Sequence, residues 1–148
     1  MLLDSNVIIA ILTEAHEHHA ASLALLTRRP PLVCAVSAHS IAESYATLTR
    51  ASDRSLFRFT SAEAWAALQS LRAVALLVGL TPSQTFDAIG AYAANGGVGP
   101  RLYDALIGQA AVAHGIPAIV TWNIRHMAGL FPELLVATPT SFLAQWRG

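Results

Sequence analysis

The chain has 148 residues with nine acidic and nine basic residues, all of the basic ones arginine, so its formal net charge is zero. The length fits one domain, residues 1–148, and the zero net charge excludes nucleic-acid binding driven by a global positive field, so any such binding would rest on local arginine clusters. Charged residues make up 12% and hydrophobic residues 54%, against ~25% charged residues in a typical domain, which indicates either an alanine-rich surface or apolar surface that a second copy or another protein covers.

The predicted elements alternate between strands and helices along the chain. Short apolar runs bounded by turn residues predict strands at residues 1–4, 32–36, 74–78, 118–121 and 135–137. Capping residues and apolar spacing predict helices at residues 6–12, 17–27, 37–50, 60–71, 81–94, 103–114 and 141–146. Residues 53–59 are predicted to form a loop or a helical turn. This order predicts an α/β fold with a central parallel sheet of four or five strands, flanked by helices on both faces.

Three acidic residues stand where a functional site is expected in such a fold. Asp4 follows the first strand, and ligands bind in the crevice outside the carboxyl ends of parallel strands. Glu43 lies about one turn into the helix after the second strand, and Asp104 opens a very apolar helix. Taken singly, Glu43 could be a solvated helix residue and Asp104 an acid that favours the helix dipole. Because each could project towards the same end of the sheet as Asp4, we predict one carboxylate site.

The residues after the fourth predicted strand fit the same place. Thr121 and Asn123 come just past its carboxyl end and offer oxygen atoms without charge, although a turn capped by Asn123 is an alternative explanation. Carboxylates that share a pocket repel one another unless a proton or a cation intervenes. Oxygen ligands without a Cys/His set favour a hard ion, so Mg²⁺ or Mn²⁺ is the predicted cofactor. Such an ion suits hydrolysis of a phosphodiester bond.

Four motifs follow one another over essentially the whole chain. They are Asp4 with Asn6-Val7-Ile8, the mid-helix Glu43, Tyr103-Asp104-Ala105-Leu106-Ile107, and Thr121-Trp122-Asn123 with Arg125-His126. As an ordered set they resemble the PIN domain family, and within it the VapC-type ribonuclease toxins of bacterial toxin–antitoxin pairs. The resemblance implies a metal-dependent endoribonuclease that cleaves structured RNA, a homodimer, and a small cognate antitoxin protein that blocks the site.

The resemblance also implies a role for each matching residue. Asp4, Glu43 and Asp104 would be the catalytic, metal-binding acids, with Glu43 acting directly or through a water molecule. Asn6 and Thr121 would orient the carboxylates as supporting residues. Asn123, also a supporting residue, stands where many members of the family have a fourth acid, so the resemblance leaves open whether the site binds one metal ion or two.

Basic side chains are the candidates for contact with RNA. Arg125 and His126 could steady developing charge or touch the substrate, although a polar loop histidine is as common. The remaining candidates are Arg101, in the segment before Asp104, and the series Arg50, Arg54 and Arg58. The series would form a basic stripe if its segment were helical, and a set of scattered solvated groups if it were a loop. The tract Glu17-His18-His19 is interpreted as a solvated helix start rather than a metal site.

Two other function classes remain open. A phosphatase or dehalogenase could use Asp4 as a carboxylate nucleophile, although that chemistry often has a second acid two residues later, where this chain has Asn6. A covalent adduct trapped on Asp4 would favour it. A catalytically silent RNA- or protein-binding module with the same fold is the other alternative, and RNA binding without metal-dependent cleavage would favour it.

Compartment and membrane association are judged from hydropathy and cysteine content. The longest nearly unbroken apolar run, residues 73–80, is far shorter than the ~18 residues of a transmembrane helix. The N-terminus has no basic segment and an acid at position 4, so a signal peptide is not expected. The single cysteine, Cys34, cannot form an internal disulfide and fits a core position. We therefore expect no membrane association and a cytoplasmic location.

Overall fold

A parallel sheet with helices on both faces organises the protein. The computed structural model describes residues 1–50 and 58–145. In these ranges the strands are β1 (Leu2–Leu3), β2 (Ala35–Ser37), β3 (Leu76–Val78), β4 (Ala118–Val120) and β5 (Leu135–Ala137). They lie in the order β3-β2-β1-β4-β5, and each strand is parallel to its neighbours. The predicted α/β fold with a parallel sheet of four or five strands is confirmed.

Helices fill the connections between the strands. In the described part of the chain they are α1 (Ser5–Leu12), α2 (His19–Thr27), α3 (Ala38–Leu48), α4 (Ser61–Arg72), α5 (Pro82–Ala94), α6 (Arg101–Ala113), α7 (Ile124–Leu130) and α8 (Pro139–Gln145). Side chains that satisfy the first free backbone N–H groups explain several helix starts. Thr60 and Thr81 each form a capping box, with Glu63 and Gln84 respectively. Within the described ranges, every helix falls short of the length and apolarity that crossing a bilayer requires.

The core lies on both faces of the sheet because successive strand residues point to opposite sides. On one face, Leu3 and Val36 pack with residues of α1, α2 and α4. On the other face, Leu2 and Ile119 pack with residues of α6 and α7. A parallel strand that is buried on both sides must be apolar throughout, which is why these short runs were recognisable in the sequence.

The strand order places a topological switch point between β1 and β4. The chain builds β1, β2 and β3 in one direction across the sheet, and then places β4 and β5 on the other side of β1. Asp4 directly follows β1, Thr121 directly follows β4, and the Asp4 backbone N–H donates to the Val120 carbonyl at 3.0 Å. A crevice at the carboxyl ends of the strands is expected at such a point, so both residues stand where a ligand would bind.

Some element bounds differ from the sequence prediction. The second strand begins at Ala35 rather than at residue 32, because pairing with β1 starts there and Val33 is exposed. Helix α3 ends at Leu48, and α7 was not predicted at all. Most of the loop or turn predicted at residues 53–59 lies outside the described residues, as does Arg54.

Candidate active site

Asp4 is the most buried acid of the site. It is the N-cap of α1, and its side chain is only 3% exposed. Its Oδ1 atom accepts a hydrogen bond from the Ser5 backbone N–H at 2.7 Å. Burial raises the pKa of the Asp4 carboxyl, the charge of Glu43 raises it further, and the hydrogen bonds from Thr121 and Ser5 oppose this rise. Asp4 is therefore a desolvated carboxylate whose charge the neighbouring hydrogen bonds only partly compensate.

Asn6 and Thr121 fix the second oxygen of the Asp4 carboxylate. Oδ2 of Asp4 accepts from Thr121 Oγ1 at 2.6 Å and from Asn6 Nδ2 at 2.8 Å. The Asn6 amide also donates to Thr121 Oγ1 at 3.0 Å, and its oxygen accepts from the Trp122 backbone N–H at 3.0 Å. These bonds join the start of α1 to the residues after β4 across the switch point. They fix the orientation of the Asp4 carboxylate.

Glu43 and Asp104 face Asp4 closely enough for their charges to interact. Burial raises the pKa of Asp104, the charges of Asp4 and Glu43 raise it further, and His126 and Arg101 oppose this rise. Glu43 is half-buried on α3, and Asp104 lies in the first turn of α6 with 24% of its side chain exposed. The structure therefore brings Asp4, Glu43 and Asp104 into one electrostatic neighbourhood at one end of the sheet.

Asn123 contacts a histidine rather than the acids. It occupies the N-cap position of α7, where its side chain makes no capping hydrogen bond. Its Nδ2 atom lies 2.7 Å from Nδ1 of His126, and the same Nδ1 atom is 3.7 Å from Oδ2 of Asp104. The Asn123 backbone N–H donates to Thr121 Oγ1 at 2.9 Å. At this position the chain therefore has an amide, which lies against His126 and so holds that ring beside Asp104.

The donor chemistry of this neighbourhood fits a hard divalent ion. Across residues 1–50 and 58–145, no three His, Cys, Asp or Glu side chains are gathered closely enough to form a complete metal-binding cluster. Mg²⁺, however, is commonly held by one or two carboxylates, keeps several waters and completes its shell with substrate phosphate. A cation would also stabilise these carboxylates, because the charge of Glu43 raises the pKa of Asp4, and the charges of Asp4 and Glu43 raise that of Asp104. The acids thus fit an open oxygen site rather than a closed cage.

The basic candidates are only partly gathered at this site. Arg101 begins α6 and lowers the pKa of Asp104 through its charge, and exposed Arg125 lies in the first turn of α7 beside Asn123. Arg50 lies just past the end of α3, seven residues after Glu43. Seven residues correspond to ~10 Å along a helix axis, so Arg50 is remote from the carboxylates.

Two aromatic contacts near the site were not anticipated from the sequence. The His18 ring stacks on Trp122 with ring centroids 3.9 Å apart, so the tract that contains His18 is not simply a solvated helix start. Trp122 also donates from Nε1 to Ser22 Oγ at 3.0 Å. On the other side of the site, His39 of α3 stacks on Tyr103 of α6 at 4.9 Å. Both pairs join residues that are distant in sequence, so no local sequence pattern predicts these contacts.

Comparison with known families agrees with this fold. A family model described as the PIN domain matches residues 1–127, which is most of the chain. The chain belongs to the PIN domain family. A comparison with curated protein sequences finds no significant match.

Solved structures with a similar fold include a toxin and two VapBC proteins. Mycobacterium tuberculosis VapC20, described as a sarcin–ricin loop cleaving toxin, has a TM-score of 0.68 and 19% identity, over 86% of this chain and 93% of that one. VapBC2 from Rickettsia felis, bound to promoter DNA, has a TM-score of 0.62 and 18% identity, over 91% of this chain and 95% of that one. VapBC-1 from nontypeable Haemophilus influenzae has a TM-score of 0.61 and 15% identity, over 94% of this chain and 97% of that one. At such identities the likeness establishes the shared fold.

Proposed function

We propose that this protein is a metal-dependent endoribonuclease that hydrolyses phosphodiester bonds in structured RNA, and that it is the toxin of a VapBC-type toxin–antitoxin pair. The observation that carries the proposal is the buried Asp4 carboxylate at the switch point of the sheet, whose pKa the charge of Glu43 raises and whose own charge raises the pKa of Asp104. Membership of the PIN domain family and the fold shared with a toxin described as cleaving the sarcin–ricin loop support it.

In this proposal each acid has a defined task. Asp4 and Asp104 hold Mg²⁺ or Mn²⁺, and Glu43 contributes directly or through a water molecule. When bound, such an ion stabilises charge on the scissile phosphate and lowers the pKa of a water nucleophile. Asn6 and Thr121 keep the Asp4 carboxylate in a fixed orientation through their hydrogen bonds to Oδ2.

The basic side chains bind and position the RNA. Arg101 and Arg125 are exposed at the starts of α6 and α7, and we assign them to phosphate contacts beside the acids. Asn123 holds the His126 ring next to Asp104, from where His126 can donate to a phosphate oxygen of the substrate. Arg50 and Arg54 remain proposals for more distant contacts along a longer RNA.

A homodimer and a small antitoxin are the proposed protein partners. Two elements expose large apolar side chains that a partner would cover: Leu76 and Leu77 on β3 are 58% and 47% exposed, and Phe86 and Ile89 on α5 are 78% and 39% exposed. None of the residues of α5 is buried. A cytoplasmic location is part of the same proposal, since both the antitoxin and the RNA substrate would be met there.

The test is cleavage of a structured RNA by protein first stripped of metal with EDTA and then given Mg²⁺ or Mn²⁺. Asp4→Asn and Asp104→Asn should each reduce the cleavage rate by about 100-fold or more, the scale of losing one group that stabilises the transition state. Asp87→Asn is the matched control, because Asp87 is an exposed acid on α5, away from the site. Circular dichroism should show that all three variants remain folded.

Different results would overturn different parts of the proposal. Full activity of Asp4→Asn or Asp104→Asn in Mg²⁺ would remove the role given to that residue, and cleavage in EDTA would remove the metal. A covalent adduct trapped on Asp4 would indicate a carboxylate nucleophile instead. RNA binding without cleavage under all metal conditions would indicate a silent binding module.

A further inference from the structure

A cavity of about 290 Å³ lies at the carboxyl-end edge of the sheet, the edge at which Asp4 follows β1. It lies between α3 and α6, and the carboxyl ends of β2 and β3 form its floor. Its lining is mostly apolar and includes Ser37, His39, Ala42, Gly79, Leu106 and Ala110. None of the roles assigned to the acids or arginines uses this space.

Helical spacing makes the cavity continuous with the carboxylate site on the α3 side. His39 and Ala42 line the cavity, while Glu43 is the next residue after Ala42 and lies one turn beyond His39. Residues four apart on a helix share a face. Glu43 therefore lies on the face of α3 that adjoins the cavity.

The α6 side repeats this arrangement. Tyr103 precedes Asp104 and stands three and seven residues before Leu106 and Ala110, both of which line the cavity, so these three residues form one stripe along the helix. The Asp104 carboxylate is thus next in sequence to the ring at the mouth of the cavity. The charge of Glu43 raises the pKa of Asp104, so the two acids lie close enough for their charges to interact.

A stacked aromatic pair stands at this mouth. The His39 and Tyr103 ring centroids are 4.9 Å apart with an interplanar angle of 27°, and Tyr103 is 45% exposed. The pair presents a π-surface to solvent at the point where the cavity meets the carboxylates. In proteins that bind single-stranded RNA, such rings stack on unpaired bases.

We propose that this cavity binds one unpaired nucleobase of the RNA substrate, stacked against the His39–Tyr103 pair, so that the phosphate adjoining that base lies at the carboxylates. This inference rests on the proposed ribonuclease function. The cavity volume of about 290 Å³ lies just below the range of ~300–1,000 Å³ for small-molecule pockets, which suits a single base rather than a run of nucleotides.

Charge favours this occupant. The chain has no lysine and no net charge, and three acids repel RNA phosphates from the site, so long-range attraction contributes little to binding. Stacking and burial of a base need no charge and act independently of sequence. A second copy of the chain is the competing occupant, and the experiment separates it from RNA.

The test measures RNA binding in EDTA, so it is independent of cleavage. The probe is an RNA hairpin with 2-aminopurine in its loop, compared with the same hairpin made abasic at that position. Ala42→Phe fills the cavity from an exposed helix position, and Ala46→Phe, exposed on the same helix but outside the cavity, is its matched control. Tyr103→Leu removes the stacking ring, and Tyr103→Phe restores it.

The expected result is quenching of 2-aminopurine by the wild-type protein and weaker binding by about 5- to 100-fold in Ala42→Phe and Tyr103→Leu, the range for loss of one base–aromatic stack. Ala46→Phe, Tyr103→Phe and the wild-type protein should bind the intact hairpin with equal affinity. The wild-type protein should bind the abasic hairpin as weakly as Ala42→Phe binds the intact one.

Several results would overturn the inference while leaving the ribonuclease function in place. These are equal affinity of Ala42→Phe and Ala46→Phe for the hairpin, equal affinity of the abasic and intact hairpins, or no RNA binding by the wild type in EDTA. If sedimentation shows that Ala42→Phe changes the oligomeric state without changing RNA affinity, the cavity belongs to an interface between copies. Absence of cleavage by the wild type, with base-dependent binding intact, would count against the ribonuclease function alone.

Discussion

Replacing Thr121 by valine tests how the fold tolerates the buried Asp4 carboxylate. Thr121 is fully buried, and its hydroxyl donates to Asp4 Oδ2 at 2.6 Å. The same hydroxyl accepts from Asn6 Nδ2 at 3.0 Å and from the Asn123 backbone N–H at 2.9 Å. Valine keeps the shape of threonine but removes all three bonds. The Asp4 carboxylate then stays buried with one donor fewer.

The expected cost follows from these bonds. A hydrogen bond to a charged group contributes about 1.5–3 kcal/mol, and a neutral one about 0.5–1.5 kcal/mol. The neutral bonds are partly replaceable, because Asn6 Nδ2 keeps its bond to Asp4 and Asn123 is exposed to water. We therefore expect Thr121→Val to lower the free energy of unfolding at neutral pH by about 2–4 kcal/mol in the absence of metal.

The pH dependence of this cost has a definite sign. The pKa of folded Asp4 is raised above the value of 3.8 taken for the unfolded chain, chiefly by burial. The charged form is therefore disfavoured by folding, so the contribution of Asp4 to stability is fully present below pH 3.8 and is lost as the pH rises through its folded pKa. Without the Thr121 hydroxyl that pKa rises further. The difference between Thr121→Val and wild type should thus be largest at neutral pH and shrink as Asp4 becomes protonated.

Urea unfolding in EDTA across a pH series measures this difference. Thr121→Ser is the control, because it keeps the hydroxyl and loses only a methyl group, at about 1 kcal/mol. Equal stability of the valine and serine variants at neutral pH, or a cost that does not change as the pH falls, would refute the argument that the hydroxyl stabilises a buried charge.

Two further predictions concern helix ends and packing. Thr60→Ala should lower the free energy of unfolding by about 0.5–2 kcal/mol through loss of the cap of α4. Hydrogen bonds from the Thr60 backbone N–H and hydroxyl lower the pKa of Glu63 from its usual 4.5, and alanine removes only the hydroxyl bond. The contribution of that bond is present above pH 4.5 and is lost as the pH falls through the folded pKa, so a pH-independent difference in urea titrations would contradict this. Gly108→Ala should lower the free energy of unfolding by about 1–3 kcal/mol, since an added Cβ would overlap the ring of Phe131. Gly129→Ala is the control, because its Cβ would meet open space, and equal melting temperatures of the two variants would contradict the clash.

The fold was predictable where burial alone determined the local sequence. Leu2 and Leu3 are buried on opposite faces of β1, so both had to be apolar, and the run was legible as a strand. Helix α7 was missed because nothing local marks it. Its N-cap residue Asn123 makes no side-chain cap, and Met127 is its one buried residue in the described structure. Its position depends on packing against β5 and α6, which sequence periodicity cannot reveal.

The candidate site was predictable only to the extent that topology determined it. Residues that end neighbouring parallel strands meet at one edge of the sheet, so the proximity of Asp4 and Thr121 followed from strand order. The contact between His126 and Asn123 and the stack of His39 on Tyr103 depend instead on how α3, α6 and α7 rotate about their axes. A rotation of one residue, about 100°, would separate each pair, and no spacing in the sequence specifies it.

The donors around Asp4 explain why its raised pKa is compatible with a metal-binding role. Oδ1 and Oδ2 accept hydrogen bonds from Ser5, Asn6 and Thr121, yet burial and the charge of Glu43 still outweigh them. Further hydrogen-bond donors would stabilise the charged carboxylate without a cation. Fewer donors would raise its pKa further and favour the protonated form. With the observed donors, Asp4 is an oriented carboxylate whose negative charge is only partly stabilised. In the proposed site, a divalent ion would stabilise the charges of Asp4, Glu43 and Asp104 together, so binding of that ion should also stabilise the fold.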